Sequence, residues 1–153
     1  MKKVTPLLKE SYIAMIKNSK NSRMFTDFYA RVNKKKKNIT KNGELSCAYF
    51  VSSVLKIFNL ISDIHLTVKG TVNDLLESGW ISIKKPKIGG ILLWEQKNFG
   101  IRNKPNRHYH IGFYIGNNKA ISNSASKKKI AIHHFTFNNK RKIIKIYWNK
   151  KLD

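Results

Sequence analysis

The sequence predicts an α+β domain in which N-terminal helices pack against a C-terminal antiparallel sheet. Apolar residues recur at helical spacing in the first half of the chain and alternate, as strand residues do, from Trp80 onwards. A length of 153 residues suits one domain with its own core, and 41% hydrophobic residues argue against disorder. We expect a single domain over 1–153, divided into a helical N-terminal part (1–42), a helical middle part (43–79) and the sheet (80–153).

Helical spacing of apolar side chains predicts four helices, over residues 6–17, 23–32, 47–59 and 71–78. The third is apolar around most of its circumference, which predicts a helix buried on most sides. Between the second and third helices, the consecutive lysines from Lys34 to Lys37 predict a solvated loop, with a phosphate-binding patch as the alternative.

The sheet is predicted from short segments in which apolar and polar residues alternate. These segments are Trp80–Ile83, Ile91–Glu95, His108–Gly116, Lys119–Ser124, Ile130–Phe135 and Ile143–Trp148. Asn117-Asn118 predicts a tight turn, so the segments on either side of it form a hairpin. The stretch Asn98–Arg107 is rich in Gly, Pro, Asn and basic residues, and we expect a mobile loop there.

The charge balance of the chain is strongly basic. It has 31 Lys and Arg residues against 8 Asp and Glu, which gives a formal net charge of +23. Such a surface attracts polyanions, for example nucleic acid, an anionic cell-wall polymer or acidic lipid. A compositional bias towards Lys, Asn and Ile at tolerant surface positions explains the charge equally well, so both interpretations stay open.

Cys47 is the only cysteine, which excludes an internal disulfide and a cysteine-based zinc site. Lys9, Glu10 and Lys17 interrupt the apolar residues near Met1, so the N-terminus does not predict a secretory signal. No apolar run is long enough to span a membrane. We therefore expect a cytoplasmic protein without an integral membrane segment, unless it is exported by a route that needs no signal peptide.

Cys47 is predicted to lie at or near the first turn of the third helix, four residues after Gly43 in the Asn42-Gly43 pair that ends the preceding segment. Unpaired backbone N–H groups and the positive end of the helix dipole favour an anion at this position. A thiolate is such an anion, and a cysteine there can have its pKa lowered into the reactive range. An inert, buried cysteine is the alternative, and the presence of a partner group distinguishes the two.

The strand His108–Gly116 offers such a partner. His110 and Gly112 share one face of this strand, and the glycine leaves space for a helix end to approach the imidazole. His110 can then act as the base for the Cys47 thiol and afterwards as the acid for the leaving group. His108 lies on the same face about 7 Å away, where it either lines the cleft or is exposed.

Three segments resemble those of NlpC-type papain-like cysteine hydrolases, in the same order along the chain, over about residues 44–124. Residues 46–55 resemble the nucleophile helix, and residues 85–94 resemble a Pro-x-x-Gly-Asp segment that opens a strand. Residues 110–116, His-Ile-Gly-Phe-Tyr-Ile-Gly, are similar to the family's His-Val-Gly-Ile-Tyr-x-Gly strand. Related CHAP-type amidases share the arrangement. The resemblance implies a papain-like fold that cleaves amide bonds, most often in cell-wall peptides, through a cysteine, a histidine and a third polar residue, without a cofactor.

The chain departs from this family pattern at several positions. Ser46 stands where the family usually has Asp, and Ala48-Tyr49 stands where it has Ser-Gly. Those positions help to hold the substrate peptide in the family, so Ser46 is a candidate substrate-binding residue together with His108. Gly90 replaces the Asp of the strand-opening segment, and Ser122 falls at the family's third catalytic position.

Hairpin geometry favours a different third residue. With a two-residue turn, Asn123 lies diagonal to His110 and Ser122 points away, whereas one more residue in the turn exchanges them. An amide oxygen holds an imidazole N–H better than a hydroxyl does, and Cys-His-Asn is a known form of the triad. We therefore predict Cys47, His110 and Asn123 as catalytic residues, with Ser122 and then His134 as alternatives for the third.

The sequence thus predicts a cysteine hydrolase acting on a peptide or peptide-like amide. A peptidoglycan-like substrate is what the resemblance implies, and an anionic polymer is a further candidate partner of the basic surface. We predict no metal, because three ligands at suitable spacing are not indicated. The alternative function is an inactive binding module on the same scaffold, which binds nucleic acid or another polyanion through runs such as Lys34–Lys37 and Lys127–Lys129. Aromatic residues do not interleave these runs as they do in single-strand binders, which counts against that alternative.

Overall fold

The computed structural model describes residues 1–98 and 107–153 of the chain. Within these residues the helices are α1 (Leu8–Asn18), α2 (Cys47–Ile57) and α3 (Val68–Glu77). The strands are β1 (Tyr29–Val32), β2 (Lys35–Asn38), β3 (Ile81–Ser82), β4 (Ile91–Asn98), β5 (Arg107–Gly116), β6 (Lys119–Ser124), β7 (Lys129–His134) and β8 (Ile143–Trp148). Short 3-10 turns cover Lys41–Gly43 and Lys150–Leu152.

The strands from β3 to β8 form one antiparallel sheet in the order β3-β8-β4-β5-β6-β7, and β1 and β2 form a separate two-stranded sheet. All three helices precede this sheet in the chain, so the predicted α+β class is confirmed. Helix α2 packs against β5 and β6, the two strands that carry the predicted catalytic residues.

The main core lies between the helices and one face of the six-stranded sheet. Phe50 of α2 and Phe113 of β5 are both fully buried, and their rings meet edge to face with centroids 5.4 Å apart. Tyr12 of α1 is also fully buried, and its hydroxyl donates to the Gly89 carbonyl at 2.8 Å. Burial of each such side chain stabilises the fold by about 1.5–3 kcal/mol. Because α2 is fixed to β5 by this packing, the residue at its start has a defined position above the sheet.

The opposite face of the sheet carries a smaller cluster around Trp94, which is fully buried. The indole N–H of Trp94 donates to the Phe135 carbonyl at 2.8 Å, and the ring of Phe137 packs against the indole at 5.3 Å. Alternation along β5 places His110 on this face.

The predicted helix over 23–32 and the predicted loop at Lys34–Lys37 are both wrong. A hairpin formed by β1 and β2 occupies this segment, so the N-terminal part contains one helix and two strands. Asn33 and Lys34 form its turn with φ of 49° and 65°, as the two-residue turns that match strand twist require. Local turn geometry therefore overrides the helical spacing of the apolar residues.

The other predicted elements agree with the structure, with shifts at their ends. Strands β6 and β8 have the predicted bounds. Helix α3 begins at Val68 instead of Thr71, because the Thr67 side chain caps it by accepting a hydrogen bond from the Gly70 N–H at 3.1 Å. Most of the predicted loop over 98–107 lies outside the described residues. Among the residues described, no helix has both the length and the apolar character needed to cross a bilayer.

Candidate active site

Cys47 is the first residue of α2, and the segment before it is held by β6. The side-chain amide of Asn123 donates to the Gly43 carbonyl at 2.7 Å. Gly43 has φ of +96°, and a side chain there would place its Cβ 3.3 Å from the Cα of Lys128. Only glycine combines that conformation with so close an approach. Asn123 and Gly43 together fix where α2 starts and therefore where the thiol lies.

The thiol lies beside a gap between β5 and β6. Their pairing ends at Phe113 and Ile121, so the two strands are not paired beyond that point. Successive N–H groups of a strand point to opposite neighbours. Since the Tyr114 N–H points towards β4, the Ile111 N–H points into the gap. There it is a hydrogen-bond donor to the sulfur of Cys47.

Burial raises the pKa of the Cys47 thiol and is the largest influence on it. Hydrogen bonds from the backbone of Ile111, Ala48 and Cys47 itself, and the positive charge of Arg141, act in the opposite direction. The net pKa lies above the ordinary value, because desolvation of the sulfur outweighs these donors. This differs from the expectation based on the helix dipole. At neutral pH Cys47 is therefore a thiol, and its activation requires a base.

His110 packs against Trp94 with ring centroids 5.3 Å apart, and its Nε2 lies 2.8 Å from the Ser122 hydroxyl oxygen. Burial lowers the pKa of His110 to about 3, and the charges of Arg141 and His133 contribute in the same direction. The imidazole is therefore neutral at neutral pH. A neutral imidazole is the form that accepts a proton.

Two hydrogen bonds continue beyond Ser122. Its hydroxyl oxygen lies 2.7 Å from Nε2 of His133, and Nδ1 of His133 lies 2.8 Å from the His134 carbonyl oxygen. Burial is the main influence on the pKa of His133 and lowers it. The hydrogen bond to the His134 carbonyl raises this pKa and the charge of His134 lowers it, and the net pKa lies below the ordinary value. His110, Ser122 and His133 thus form one partly buried hydrogen-bonded row.

The residue in contact with His110 is Ser122, and the expectation of Asn123 in this place is wrong. The turn of the hairpin has two residues as expected, but a β-bulge between Tyr114 and Gly116 shifts the register by one. A one-residue shift exchanges the faces on which neighbouring side chains lie. Asn123 consequently points to the segment before α2, and Ser122 points to His110.

The remaining predicted residues have different positions. His134 lies on the other side of β7 from His133, and its Nδ1 accepts a hydrogen bond from the Thr136 N–H at 3.2 Å. Ser46 is 0% exposed, which leaves no surface of this residue for a substrate. His108 lines the cavity described below, and within the described part of the chain its buried Nε2 has no hydrogen-bond partner.

Sequence reasoning missed Arg141 and His133. Arg141 is buried, and it donates from Nε to the Glu95 carbonyl at 3.0 Å and from its terminal nitrogen to the His108 carbonyl at 2.8 Å. Its neighbours in the sequence are lysines, so no pattern distinguishes it from a surface residue. For His133 a signal existed, because alternation places it opposite Ile132 on β7, on the face that His110 occupies.

A cavity of about 900 Å³ contains these groups. This volume falls within the range of about 300–1,000 Å³ that is typical of small-molecule sites. The candidate functional residues on its wall are Cys47, His110, Ser122, His133 and Arg141. Further basic residues line it, namely Lys69, Lys97, Arg107, Lys127 and Lys140. Of the described lining residues, Glu44 alone carries a carboxylate.

In residues 1–98 and 107–153, no three His, Cys, Asp or Glu side chains are arranged to hold a metal ion. The sequence matches no known protein-family model, and a search of curated proteins finds no match.

Proposed function

We propose that the protein is a papain-like cysteine hydrolase that cleaves a peptide or peptide-like amide bond, with Cys47 as nucleophile and His110 as general base and acid. The observation that carries this proposal is the position of the only thiol. Cys47 lies at the start of a buried helix, and its sulfur accepts a hydrogen bond from the Ile111 N–H. It lines a cavity whose wall also includes the neutral imidazole of His110, the residue before Ile111 in the sequence. A peptide of a cell-wall type remains the substrate that the sequence resemblance suggests.

The first half of the reaction transfers the acyl group to sulfur. Nε2 of His110 is engaged with Ser122, so Nδ1 accepts the thiol proton as Sγ attacks the amide carbonyl carbon. Backbone N–H groups at the start of α2 are the donors that stabilise the oxyanion. The imidazolium then donates its proton to the departing nitrogen, the C–N bond breaks, and a thioester and a free amine result. Base catalysis of this kind contributes about 10²–10⁴-fold to the rate.

The second half returns the enzyme to its starting state. His110 accepts a proton from water as the water oxygen attacks the thioester carbonyl carbon; the C–S bond then breaks, and the imidazolium returns its proton to the departing sulfur. The products are a carboxylic acid and the thiol of Cys47. The positive charge of Arg141 favours the thiolate of Cys47 and keeps the resting His110 neutral, and it disfavours the imidazolium that forms when His110 accepts a proton.

Acyl transfer to Cys47 is tested with an N-acyl amino acid p-nitrophenyl ester. We expect a burst of p-nitrophenolate and a matching mass increase on Cys47, followed by cleavage of amides in a peptide and muropeptide panel that is read by mass spectrometry. Cys47→Ala abolishes both, and His110→Gln lowers the rate about 10²–10⁴-fold. Tyr114→Phe is the matched control, because Tyr114 lies on the same strand as His110 but its ring packs against Phe135. Absence of acylation, or equal amide turnover by Cys47→Ala, would overturn the proposal.

A second candidate function is polyanion binding by the β1–β2 hairpin. Its lysines and Arg31 are exposed, and Arg31 pairs directly with Lys36 across the two strands. Like charges in that arrangement destabilise a hairpin, and a bridging anion relieves the repulsion. We expect a labelled oligonucleotide to bind with an affinity that falls steeply with salt, and the double variant Lys35→Glu, Lys37→Glu to weaken it. Binding without any hydrolysis would favour this function over the first, and binding unaffected by the variant would contradict it.

A further inference from the structure

A row of directed hydrogen bonds runs from the proposed base to the backbone of β7. It joins His110 Nε2 to the Ser122 hydroxyl at 2.8 Å, and that hydroxyl to His133 Nε2 at 2.7 Å. The row ends where His133 Nδ1 meets the His134 carbonyl oxygen at 2.8 Å. Each neutral side chain in the row has one proton to donate, so the His134 carbonyl at one end fixes the direction of every hydrogen bond in the row.

The direction is set at the carbonyl. A carbonyl oxygen only accepts, so His133 Nδ1 carries a proton, and in the neutral ring Nε2 is then an acceptor. Ser122 has one hydroxyl proton and donates it to that acceptor. Its oxygen is left to accept from His110, whose Nε2 therefore carries the proton. In a neutral His110 this leaves Nδ1 with a free lone pair.

We infer that His133 is a positioning residue: through the Ser122 hydroxyl it holds the proton of His110 on Nε2 and so makes Nδ1 the base. The tautomer stands on the hydrogen bonds alone, whereas its consequence for catalysis rests on the proposed function. Without His133, the Ser122 hydroxyl is free to donate to His110 Nε2 instead, which moves the His110 proton to Nδ1. The proposed base is then blocked although every catalytic side chain is still present.

The surroundings of His133 hold its ring in the required orientation. The ring is stacked on Phe137 with centroids 3.9 Å apart and an interplanar angle of 15°, and Trp94 lies against it at 5.6 Å. Phe137 has a φ of 51°, which is unusual for a bulky side chain and persists only where the surrounding structure imposes it. The Phe137 ring also packs against His110 with centroids 5.9 Å apart, so it contacts both imidazole rings of the row.

The test is the tautomer of His110, read from the ¹⁵N shifts and long-range ¹H–¹⁵N correlations of the imidazole rings at neutral pH. His110→Ala assigns the signals. We expect the Nε2–H form in the wild type and a shift towards the Nδ1–H form in His133→Phe, which keeps a ring against Phe137 but removes the acceptor. His133→Gln restores an acceptor oxygen, and we expect it to restore the Nε2–H form. With an active enzyme, His133→Phe lowers kcat by about a hundredfold.

His134→Phe is the matched control, because His134 is the next residue on the same strand but its Nδ1 accepts a hydrogen bond from the Thr136 N–H. In His134→Phe we expect the imidazole ¹⁵N signals of His110 to match those of the wild type. Should His133→Phe not fold, Ser122→Ala replaces it, since loss of the hydroxyl also releases the Nε2 proton. A wild-type His110 in the Nδ1–H form, or an Nε2–H form unchanged in both His133→Phe and Ser122→Ala, overturns the inference. The correct tautomer in a protein that never acylates Cys47 refutes the proposed function and leaves the inference intact.

Discussion

Replacement of Gly112 by alanine tests how closely β5 and β6 approach beside the site. An added Cβ would lie 2.7 Å from the Ile121 carbonyl oxygen and 2.7 Å from the Ser122 Cβ, and 3.1 Å from the Trp94 ring. Two of these contacts are with the neighbouring strand, and the third is with a buried indole that has no room to move. The strands must therefore separate, which carries the Ser122 hydroxyl away from His110.

The size of the effect follows from these contacts. Overpacking of this kind costs about 1–3 kcal/mol, and the change from glycine to alanine in a strand returns about 0.5–1 kcal/mol. The net loss is then at most about 2.5 kcal/mol, which lowers the Tm by up to about 10 °C in a domain of this size. We expect kcat/KM to fall about a hundredfold, because a displacement of the Ser122 hydroxyl by about 1 Å misaligns the imidazole of His110.

The assay measures the Tm and kcat/KM of Gly112→Ala beside Gly79→Ala. Gly79 has φ of +85° and no heavy atom within 4 Å of an added Cβ, so its replacement costs only the left-handed backbone penalty of about 1–2 kcal/mol. We expect both variants to lose similar stability and only Gly112→Ala to lose activity. Full activity in Gly112→Ala, or equal losses of activity in the two variants, would contradict a close approach of β5 and β6 that positions Ser122.

Three further predictions concern charge and hydrogen bonding. Arg141→Gln removes a positive charge near Cys47 and raises the pKa of its thiol, so we expect alkylation by iodoacetamide to slow about three- to tenfold. Arg141→Lys keeps the charge and the wild-type rate. Identical alkylation rates in the wild type and both variants would contradict this charge effect. Asn123→Ala leaves the Gly43 carbonyl unpaired and lowers the free energy of unfolding by about 1–3 kcal/mol in urea titrations, without a change in the His110 tautomer. Burial raises the pKa of Asp74, but four hydrogen bonds to its carboxylate outweigh this and hold the pKa well below its usual range. Their stabilisation is present above the unfolded-state pKa of about 3.9 and is lost as the pH falls below it, so melting curves should show a weaker acid dependence for Asp74→Asn than for the wild type.

Much of the fold was predictable from the sequence because its elements have strong local signals. The stripe of apolar residues around Phe50 predicts α2, and alternation in β6 and β8 predicts their bounds. The β1–β2 hairpin was missed because its lysines and aromatic residues fit a helix or a loop equally well. Its turn depends on the positive φ of Asn33 and Lys34, for which lysine is not a characteristic residue.

For the candidate site, local sequence patterns were enough to propose Cys47 and His110 as the reacting pair. A lone cysteine shortly after Asn42-Gly43 and a histidine two residues before Gly112 are local patterns, and they predict a helix start and a strand face with space beside the imidazole. The groups that contact these two residues come from distant parts of the chain and are placed by strand register and packing. One bulge in β5 sets whether Ser122 or Asn123 contacts His110, and burial sets the protonation state of both Cys47 and His110. Register and desolvation depend on residues distant in the chain, so no local pattern encodes them.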